Sequence, residues 1–386
     1  MKKILRIVIT GGPCGGKTTA LEEISKIFRT QGYTVMVVNE TATELINDGV
    51  KPFGNELDKL PIIDFQTIVL EAQLSKEKVR DMAANACLND NVVILYDRGI
   101  LDNRAYLTDD EFKAMIDKRG ITEAQILSRY DLVLHLVTAA QGQEKYYTTA
   151  NNTARIETPE EAREKDKRTM ETWSNHPNLK IFGNDCLFDE KIHRVGNAIR
   201  AFLGENEVIE QRKYKVSSIN YRLLSNYLGV HMLEEEICEF ATCYDIGFDE
   251  LYRKSTISGS NYYIYTIIKY NPDGTKTTRH RNITEDDFNE QLGKIEDKPI
   301  TKTRYNFIYN GERYRIDVYH DTSLITLERD VTNSTNVELP NFVKVGEEIT
   351  DQRDYRDANI FKYVNQQRQE SQKESMYQKL GLRKQD

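Results

Sequence analysis

The sequence has few cysteines, prolines and tryptophans, and it lacks long hydrophobic runs. Its 386 residues include 5 Cys, 8 Pro and 1 Trp, while charged residues make up 30% of the chain. No run approaches the roughly 18 apolar residues that a membrane span needs. The apolar stretch near the amino terminus is also too short for a signal peptide and leads into a glycine-rich loop. We therefore expect a chain without a transmembrane segment.

Sparse cysteine and the lack of a basic excess exclude further classes of protein. Only Cys238 and Cys243 lie close together in sequence, and no histidine cluster accompanies them, so we expect neither a zinc site nor a disulfide framework. This usage fits a reducing, cytoplasmic compartment. The formal net charge of −8 and the pI near 5.5 argue against a broad nucleic-acid-binding surface but leave room for a local basic site.

Length and aromatic content indicate two halves that are built differently. At about 100–200 residues per domain, the length predicts two or three domains. The chain holds 22 Tyr, and most of them follow residue 200. We place the domains at residues 1–204 and 205–365, followed by a polar tail at residues 366–386. The segment Gly204-Glu205-Asn206-Glu207 is the expected linker.

The first half alternates short apolar runs with helical patterns. Runs rich in β-branched residues predict five strands, at residues 5–10, 34–39, 91–96, 131–137 and 179–182. Helical spacing of apolar residues predicts helices over residues 17–29 and 192–203. Strands that are apolar on both faces and separated by helices are typical of a parallel sheet. The sequence thus predicts an α/β domain with helices on both faces of a parallel sheet.

A phosphate-binding loop follows the first predicted strand. Residues 11–18 match the pattern G-x-x-x-x-G-K-[ST] and lie between a strand and a helix, as this motif requires. Its glycines let successive backbone N–H groups point at phosphate oxygens. Lys17 would neutralise the β- and γ-phosphates, and the Thr18 hydroxyl would bind Mg²⁺. The expected nucleotide-binding residues are Gly11, Gly12, Pro13, Cys14, Gly15, Gly16, Lys17, Thr18 and Thr19.

Acidic residues follow two other predicted strands. Asp97 comes directly after the third strand and is expected to hold Mg²⁺ together with Thr18, although a strand-end cap is the alternative. Strand ends in an open α/β sheet converge on the ligand crevice, which also places Glu40 there. For Glu40 the alternative is a solvated residue at a helix start, and Glu44 is a second candidate for its role.

Residues 145–173 form a basic helical segment between the fourth and fifth predicted strands. The segment resembles a kinase lid, which closes cations over the phosphates and excludes water. We expect Arg155 to act there, because few acids precede it, and we expect Arg163 and Arg168 on the helix surface. Asn184 and Asp185 follow the fifth strand, where contacts to the base are expected.

These elements together resemble a kinase domain. The segment Asp97-Arg98-Gly99 is similar to the Asp-Arg element of nucleoside and nucleotide kinases. Residues 1–203 resemble the ribosylnicotinamide kinase domain of bacterial NadR proteins. The resemblance is carried by this segment together with the phosphate loop, Asn39-Glu40, residues 130–136 and Trp173. The resemblance implies that Arg98 contacts the acceptor or the transferring phosphate, and that Glu40 orients or deprotonates the acceptor hydroxyl. The implied catalytic set is Lys17, Asp97, Arg98, Glu40 and Arg155.

The second half changes to tyrosine-rich strands with alternating polarity. Hairpin turns are predicted at residues 271–274 and at Asn310-Gly311. Each strand has an apolar or aromatic face and a face with both cations and acids, and residues 263–269 place Tyr263, Tyr265, Ile267 and Lys269 on one face. A solvated sheet face is the alternative. A closed barrel with a charged interior accounts better for the cations and acids that recur on the same face of several strands. The sequence predicts an α+β antiparallel barrel or tunnel domain.

Residues 207–364 resemble the CYTH, or triphosphate-tunnel, family. The resemblance is carried by segments such as Arg212-Lys213-Tyr214, Tyr252-Arg253-Lys254, Tyr265-Thr266, Ile316-Asp317, Leu327-Glu328, Leu339-Pro340 and Glu348-Ile349-Thr350. It implies a polyphosphate ligand bound by Lys213, Arg253, Lys269, Lys302, Arg304 and Arg315. The implied tunnel acids are Asp317, Glu328 and Asp330. The pairing of the two domains is similar to that in the insect TRPL translocation defect proteins, which bind GTP.

This half departs from the tunnel family at the first strand. The family pattern Glu-x-Glu-x-Lys falls on Ile209, Gln211 and Lys213, so the cation is kept and both acids are missing. The family's Arg-Lys-Arg element likewise reads Arg253-Lys254-Ser255. Mg²⁺ then has fewer hard oxygen ligands and stabilises the transition state less. We expect this half to bind an anionic phosphate ligand and to hydrolyse it poorly.

Two functional interpretations remain open on sequence alone. In the first, an enzyme binds Mg–ATP or Mg–GTP and transfers or hydrolyses the γ-phosphate. In the second, a nucleotide-gated module docks on a polyphosphate or on an anionic lipid headgroup such as a phosphoinositide or phosphatidic acid, so that membrane contact is peripheral. Both are favoured over a structural role without a ligand. The Asn-Lys-x-Asp element of small GTPases is absent, which favours ATP without deciding the question.

Overall fold

The computed structural model describes residues 2–147, 158–204, 210–228, 235–244, 248–270, 276–331, 338–350 and 352–379. Arg155, Ile209 and the turn at residues 271–274 lie outside these residues, as does most of the expected linker. In the part of the chain that is described, no helix combines the length and the apolar character needed to cross a membrane.

The amino-terminal half is built from five strands and seven α-helices within the described residues. The strands are β1 (Lys3–Thr10), β2 (Thr34–Val38), β3 (Asn91–Asp97), β4 (Leu132–Leu136) and β5 (Leu179–Phe182). The helices are α1 (Lys17–Thr30), α2 (Thr41–Asn47), α3 (Ile62–Ala86), α4 (Asp109–Asp117), α5 (Glu123–Ser128), α6 (Pro159–Thr172) and α7 (Phe188–Leu203). Short 3-10 helices cover Ile100–Tyr106 and Glu144–Tyr146.

The five strands form a parallel sheet in the order β2-β3-β1-β4-β5. Strand β1 is central, because it pairs with β3 on one side and with β4 on the other. Helices α1 and α7 pack on one face of the sheet, where Ile24, Phe28 and Ile199 are fully buried. Helices α3 to α6 contribute to the core on the other face. The expected α/β domain with helices on both faces is confirmed.

The predicted element boundaries differ from the structure at a few ends. Helix α7 begins at Phe188 rather than at residue 192, so it is one turn longer than expected. Asp189 and Glu190 lie in that extra first turn, where negative charge stabilises the positive end of the helix dipole. Strand β1 begins at Lys3, two residues earlier than the apolar pattern predicts.

The carboxy-terminal half is built mainly from strands. They are β6 (Glu210–Ile219), β7 (Glu235–Tyr244), β8 (Phe248–Ile257), β9 (Ser260–Tyr270), β10 (Lys276–Ile283), β11 (Ile300–Tyr309), β12 (Glu312–Tyr319), β13 (Ile325–Val331) and β14 (Val343–Glu348). The helices are α8 (Tyr221–Leu228), α9 (Glu285–Leu292) and α10 (Asp357–Lys379), with a 3-10 turn at Arg353–Tyr355. The described part of the expected polar tail therefore continues a helix.

These strands form one antiparallel sheet of nine described strands, in the order β10-β9-β8-β7-β11-β12-β13-β6-β14. The register places Arg304 opposite Asp317, and Arg315 opposite Glu328. Directly paired residues of antiparallel strands share a face, so these charges lie together on one side of the sheet. Among the described strands, β10 and β14 are the edges and do not pair with each other. A closed barrel therefore stays a prediction.

The two halves share a hydrophobic core. Ile257, Tyr262 and Ile264 of β8 and β9 lie in one buried cluster with Trp173 and Tyr130 of the amino-terminal half. The Tyr130 ring contacts the Trp173 ring edge-on, with centroids 5.6 Å apart. The turn after α6 is thus buried between the parallel sheet and the antiparallel one.

Candidate functional site

The loop after β1 is curled by left-handed backbone. Gly11, Cys14 and Gly16 have φ values of 129°, 55° and 91°. At Gly11 a Cβ atom would lie 2.0 Å from the carbonyl oxygen of Leu136, so this position accepts only glycine. The strand, loop and helix therefore have the geometry that the phosphate-binding motif requires.

Lys17 and the start of α1 prepare this loop for an anion. The Lys17 side chain is buried, and its Nζ donates to the carbonyl oxygens of Gly11 at 3.1 Å and Gly12 at 2.9 Å. The residue before the helix, Gly16, offers no side chain to cap the first turn. The helix start combines backbone N–H donors with the positive end of the helix dipole. Thr18 and Thr19 are exposed at the same point.

Arg98 and Glu40 form an ion pair at the ends of β3 and β2. Arg98 has φ 73° and its backbone N–H donates to Ile9 at 3.0 Å, which fixes this left-handed turn against β1. Its Nε donates to Glu40 Oε1 at 2.5 Å. Burial disfavours the charged carboxylate, but Arg98 and Lys17 outweigh it and lower the pKa of Glu40 to about 2. Glu40 is therefore ionised at neutral pH.

Asp97 keeps one oxygen available. Its Oδ1 atom is buried and accepts no hydrogen bond from any described residue. Burial raises the pKa of Asp97 to about 6, an effect that Glu40 increases and Lys17 opposes. A buried carboxylate oxygen without a donor is suited to bind a cation, and the Thr18 hydroxyl lines the same cavity. The residues present therefore fit a divalent metal held by Thr18 and Asp97.

Two cavities meet at this site. The first cavity has a volume of about 590 Å³ and is lined by the phosphate loop, Glu40, Asp97, Phe188 and Lys191. The second cavity has a volume of about 260 Å³ and lies between α2, α3 and the 3-10 helix after β3. Lys17 and Glu40 line both. The arrangement can hold two ligands whose ends meet beside these two side chains.

Side chains near the first cavity also brace its walls. The Asn184 amide donates to the carbonyl oxygens of Thr138 at 2.7 Å and Gln141 at 2.8 Å, and its oxygen accepts from Lys191 at 2.8 Å. Burial lowers the pKa of Lys191 to about 8. Asp185 pairs with Arg194 at 3.0 Å. These bonds occupy Asn184 and Asp185, so the geometry gives no support to the base contacts expected of them.

The described arginines of the expected lid bind backbone. Arg163 donates to the carbonyl oxygen of Ala140, and Arg168 to that of Leu107, each at 2.8 Å. Two lysines come closer to the site, because Lys145 lines the first cavity and Lys165 lines the second. Glu44, the second candidate for the role of Glu40, instead pairs with Lys76.

Two buried aspartates that sequence reasoning missed hold the site's loops. Asp102 accepts from the Gly99 backbone N–H at 2.6 Å and also from the Thr10 hydroxyl. Asp166 of α6 accepts from the Gly12 backbone N–H at 2.5 Å. In the sequence, Asp102 is marked only by its place four residues after Arg98, and Asp166 looks like a surface acid of a charged helix.

A third cavity of about 100 Å³ lies on the charged face of the antiparallel sheet. Side chains from seven strands and from the segment 349–357 line it. Its cations are Lys213, Arg253, Arg304, Arg313, Arg315 and Arg356, and its acids are Glu328 and Asp357. His280 also lines it, and its pKa lies well below the usual value because of burial and the surrounding arginines. The cavity therefore has an excess of positive charge.

Most of the tunnel residues expected from the sequence come together here. Lys302 is fully buried and does not itself line the cavity, with Nζ 2.9 Å from Asp317 and 3.4 Å from Asp357, which does line it. Lys269 does not join them, because it is exposed and β9 presents Thr266, Ile268 and Tyr270 to the cavity. This corrects the face expected for residues 263–269.

The acids of this face are bound by cations. Arg304 donates two hydrogen bonds to Asp317, both at 2.6 Å, and Arg315 donates to Asp330 at 2.7 and 3.0 Å. Despite burial, Lys213 and Arg315 help to lower the pKa of Glu328 to about 2. Gln211, at a position where the tunnel family has an acid, donates to Asp330 at 2.9 Å. The described residues contain no group of three or more His, Cys, Asp or Glu side chains placed to hold a metal ion.

Comparison with known proteins places the first half in a class. Residues 6–185 match a family model described as an AAA domain. The amino-terminal half is therefore a P-loop NTPase-like, nucleotide-binding domain with a parallel sheet. No protein among the curated sequences matches the chain.

Solved structures add only weak similarities. The PH1819 protein of Pyrococcus horikoshii OT3 is 14% identical, with 46% of this chain and 92% of that chain covered, at a TM-score of 0.26. The PH1012 protein of the same organism is 12% identical, with 33% and 80% covered, at a TM-score of 0.24. At these TM-scores the similarities carry no argument about fold or function.

The geometry predicts that Lys17→Ala abolishes nucleotide binding. The change removes the only cation whose Nζ bonds to the curled loop among the described residues, so the β- and γ-phosphates lose their counter-charge. Calorimetry with Mg–ATP and Mg–GTP measures the effect, and Lys26→Ala, an exposed lysine of the same helix, is the matched control. Unchanged affinity in the Lys17→Ala protein would place the site elsewhere.

Binding of Mg–nucleotide should also weaken in acid. Asp97 must be ionised to hold Mg²⁺, and its pKa is about 6, so its charge is present above that pH and lost below it. The affinity should fall by up to about tenfold per pH unit below that point. Calorimetry from pH 7.5 to 5 measures the slope. Asp97→Asn is the control, because its remaining pH dependence comes from protonation of the nucleotide itself. Equal slopes in the unmodified protein and in Asp97→Asn would contradict the role of Asp97.

Proposed function

We propose that the amino-terminal domain transfers the γ-phosphate of a purine nucleoside triphosphate to a small hydroxyl-bearing acceptor. The supporting observation is that the first and second cavities share Lys17 and Glu40. A nucleotide in the first cavity would place its γ-phosphate at this shared edge, where an acceptor in the second cavity can reach it. Phosphoryl transfer needs mainly this alignment and the stabilisation of charge.

The roles of the phosphate-side residues follow from their positions. The curled loop and the α1 start would bind the phosphates, and Lys17 would leave the Gly11 and Gly12 carbonyl groups to bind them too. Thr18 and Asp97 would hold Mg²⁺, which supplies charge neutralisation when it is bound. Arg98 is partly buried beside this point and would stabilise charge that develops on the transferring group.

Glu40 is better suited to orient the acceptor than to store its proton. Its pKa of about 2 makes it a weak base at neutral pH. An ionised carboxylate still accepts a hydrogen bond from a hydroxyl group and aligns its oxygen for attack. A loose transition state needs little proton removal before the phosphoryl group moves. Arg98 holds Glu40 in the ionised form.

The second cavity indicates a small acceptor with apolar surface. Besides Lys17, Glu40, Arg98, Asp102 and Lys165, its wall combines aromatic and aliphatic side chains with uncharged polar groups, namely Phe53, Phe65, Ile46, Val69, Gln66, Gln73, Asn103 and Tyr106. Such a lining suits a compact organic molecule with a few hydrogen-bonding groups. This agrees with the resemblance to ribosylnicotinamide kinases. That relationship, the tunnel family and the likeness to the insect TRPL translocation defect proteins stay hypotheses.

We further propose that the third cavity binds a polyanionic phosphate ligand. Arg356 supports this proposal, since its guanidinium lies 3.5 Å from the centre of the Tyr270 ring and has no ion-pair partner among the described residues. Burial lowers the pKa of His280, and the same positive surroundings lower it further. Because Asp317, Glu328 and Asp330 are engaged with cations, metal-assisted hydrolysis there should be slow. The same chemistry fits free polyphosphate or the phosphorylated headgroup of an anionic lipid.

Glu40→Gln should slow phosphoryl transfer about 100-fold or more without weakening nucleotide binding, because it removes acceptor alignment but no phosphate contact. A single-turnover assay with γ-labelled ATP or GTP and a panel of hydroxyl acceptors, including nicotinamide riboside, measures transfer. Glu44→Gln is the matched control, since Glu44 pairs with Lys76 and lines neither cavity. Tight nucleotide binding with almost no acceptor-dependent release would instead favour a nucleotide-gated binding module.

Arg356→Gln should weaken the binding of inorganic triphosphate by the third cavity several-fold. Calorimetry is carried out in the Lys17→Ala background, so that the phosphate loop does not contribute. Arg353→Gln, at an exposed position three residues away, is the matched control. Equal losses in both variants would mean that the cavity does not recognise the anion. Rapid Mg²⁺-dependent hydrolysis of triphosphate that is lost on Glu328→Ala would contradict slow hydrolysis.

A further inference from the structure

The turn that follows α6 contacts both proposed sites. Residues 173–178, called here the connecting turn, run from the end of α6 to β5. Trp173 and His176 are fully buried, and Ser174 and Asn175 are nearly so. The turn therefore belongs to the interior of the molecule, between the phosphate loop and the third cavity.

On the amino-terminal side, the connecting turn and α6 support the phosphate loop and the Arg98 segment. Trp173 packs so closely on Gly99 that a Cβ there would lie 2.8 Å from the indole ring. The indole N–H lies 3.4 Å from Oδ1 of Asp102, the carboxylate that holds Gly99 and Thr10. In the middle of α6 (Pro159–Thr172), Asp166 accepts a hydrogen bond from the Gly12 backbone N–H. A shift of α6 would therefore displace both the phosphate loop and the Arg98 segment.

On the carboxy-terminal side, the same turn reaches the charged face of the sheet. Asn306 of β11 donates to the Asn175 side chain at 3.0 Å, and both residues are buried. Arg313 of β12 donates to the carbonyl oxygen of Pro177 at 3.2 Å. Pro177 itself lines the third cavity. The turn thus forms part of the wall against which an anion would bind.

Arg313 is a charged side chain that both contacts the turn and lines the cavity. Its guanidinium lines the third cavity and also bonds to the neutral Pro177 carbonyl. A phosphate oxygen is a stronger acceptor for a guanidinium than a neutral carbonyl is, because the hydrogen bond is charge-assisted at both ends. An anion in the cavity would therefore draw Arg313 away from Pro177.

We propose that a polyphosphate anion in the third cavity lowers the affinity of the phosphate loop for nucleotide through Arg313, the connecting turn and α6. Loss of the Arg313 bond loosens the turn, and with it the packing of Trp173 on Gly99 and the hold of Asp166 on Gly12. Linkage requires that nucleotide weakens anion binding by the same factor. This inference rests on the proposed function, since it needs both sites to bind their ligands.

Calorimetry on the full chain tests the coupling. The Kd for Mg–nucleotide is measured without and with saturating inorganic triphosphate, and a rise of about fivefold is expected. In Arg313→Gln the Kd should be the same with and without triphosphate. Arg222→Gln, an exposed arginine of α8 that lines neither the first nor the third cavity, should keep the full effect. Asn306→Ala, which removes a second side-chain bond from the antiparallel sheet to the turn, should reduce the effect and serves if Arg313→Gln fails to fold.

The outcomes separate this inference from the function on which it rests. Triphosphate binding is first measured in Lys17→Ala, where the phosphate loop does not contribute. If triphosphate binds there but leaves the nucleotide Kd of the unmodified protein unchanged, the coupling is wrong and both sites stand. If the Kd rises equally in Arg313→Gln, triphosphate competes at the phosphate loop and the coupling is also wrong. If triphosphate does not bind, the anion site and the coupling both fail, while phosphoryl transfer is judged by its own assay.

Discussion

The parallel register of β1 between β3 and β4 is the constraint on which the nucleotide site depends. It sets Ile9 opposite Asp97, so the phosphate loop that follows β1 and the acid that ends β3 emerge at the same edge. Strand β2 pairs with β3 and brings Glu40 to that edge as well. Because β1 is hydrogen-bonded on both sides and buried, it cannot shift along its neighbours. The pairing of the strands therefore sets the distances between Lys17, Asp97 and Glu40.

Buried carboxylates do two kinds of work around that edge. One oxygen of Asp97 accepts no hydrogen bond from a described residue, whereas Asp102 and Asp166 accept hydrogen bonds from backbone N–H groups of the surrounding loops. A carboxylate that accepts backbone hydrogen bonds fixes a loop for which no regular secondary structure is available. Asp97 is therefore available to bind a cation, whereas Asp102 and Asp166 hold the loops that shape the site.

In the carboxy-terminal half, buried carboxylates pair with cationic side chains. Here the acids are matched to arginines and lysines across neighbouring strands, as Arg304 is to Asp317, so that buried charge is compensated within the sheet. The cations still outnumber the acids that line the cavity, which leaves a positively charged cavity in a chain whose net charge is −8. Net charge therefore reveals nothing about a site of this kind, because the excess of cations is local to one face of the sheet.

Sequence alone determined the α/β domain, the phosphate loop and the strand-end positions of Asp97 and Glu40, because these rest on local patterns and on the rule that parallel strand ends converge. It also placed Arg304, Arg315 and Glu328 on one face, because strand alternation is local. Tertiary structure alone decided the rest. The face of Lys269 depends on what covers the sheet, and there Tyr263 packs on Phe288 of α9 on the outer side. The roles of Asp166 and Arg313 depend on partners more than 100 residues away, which no local pattern encodes.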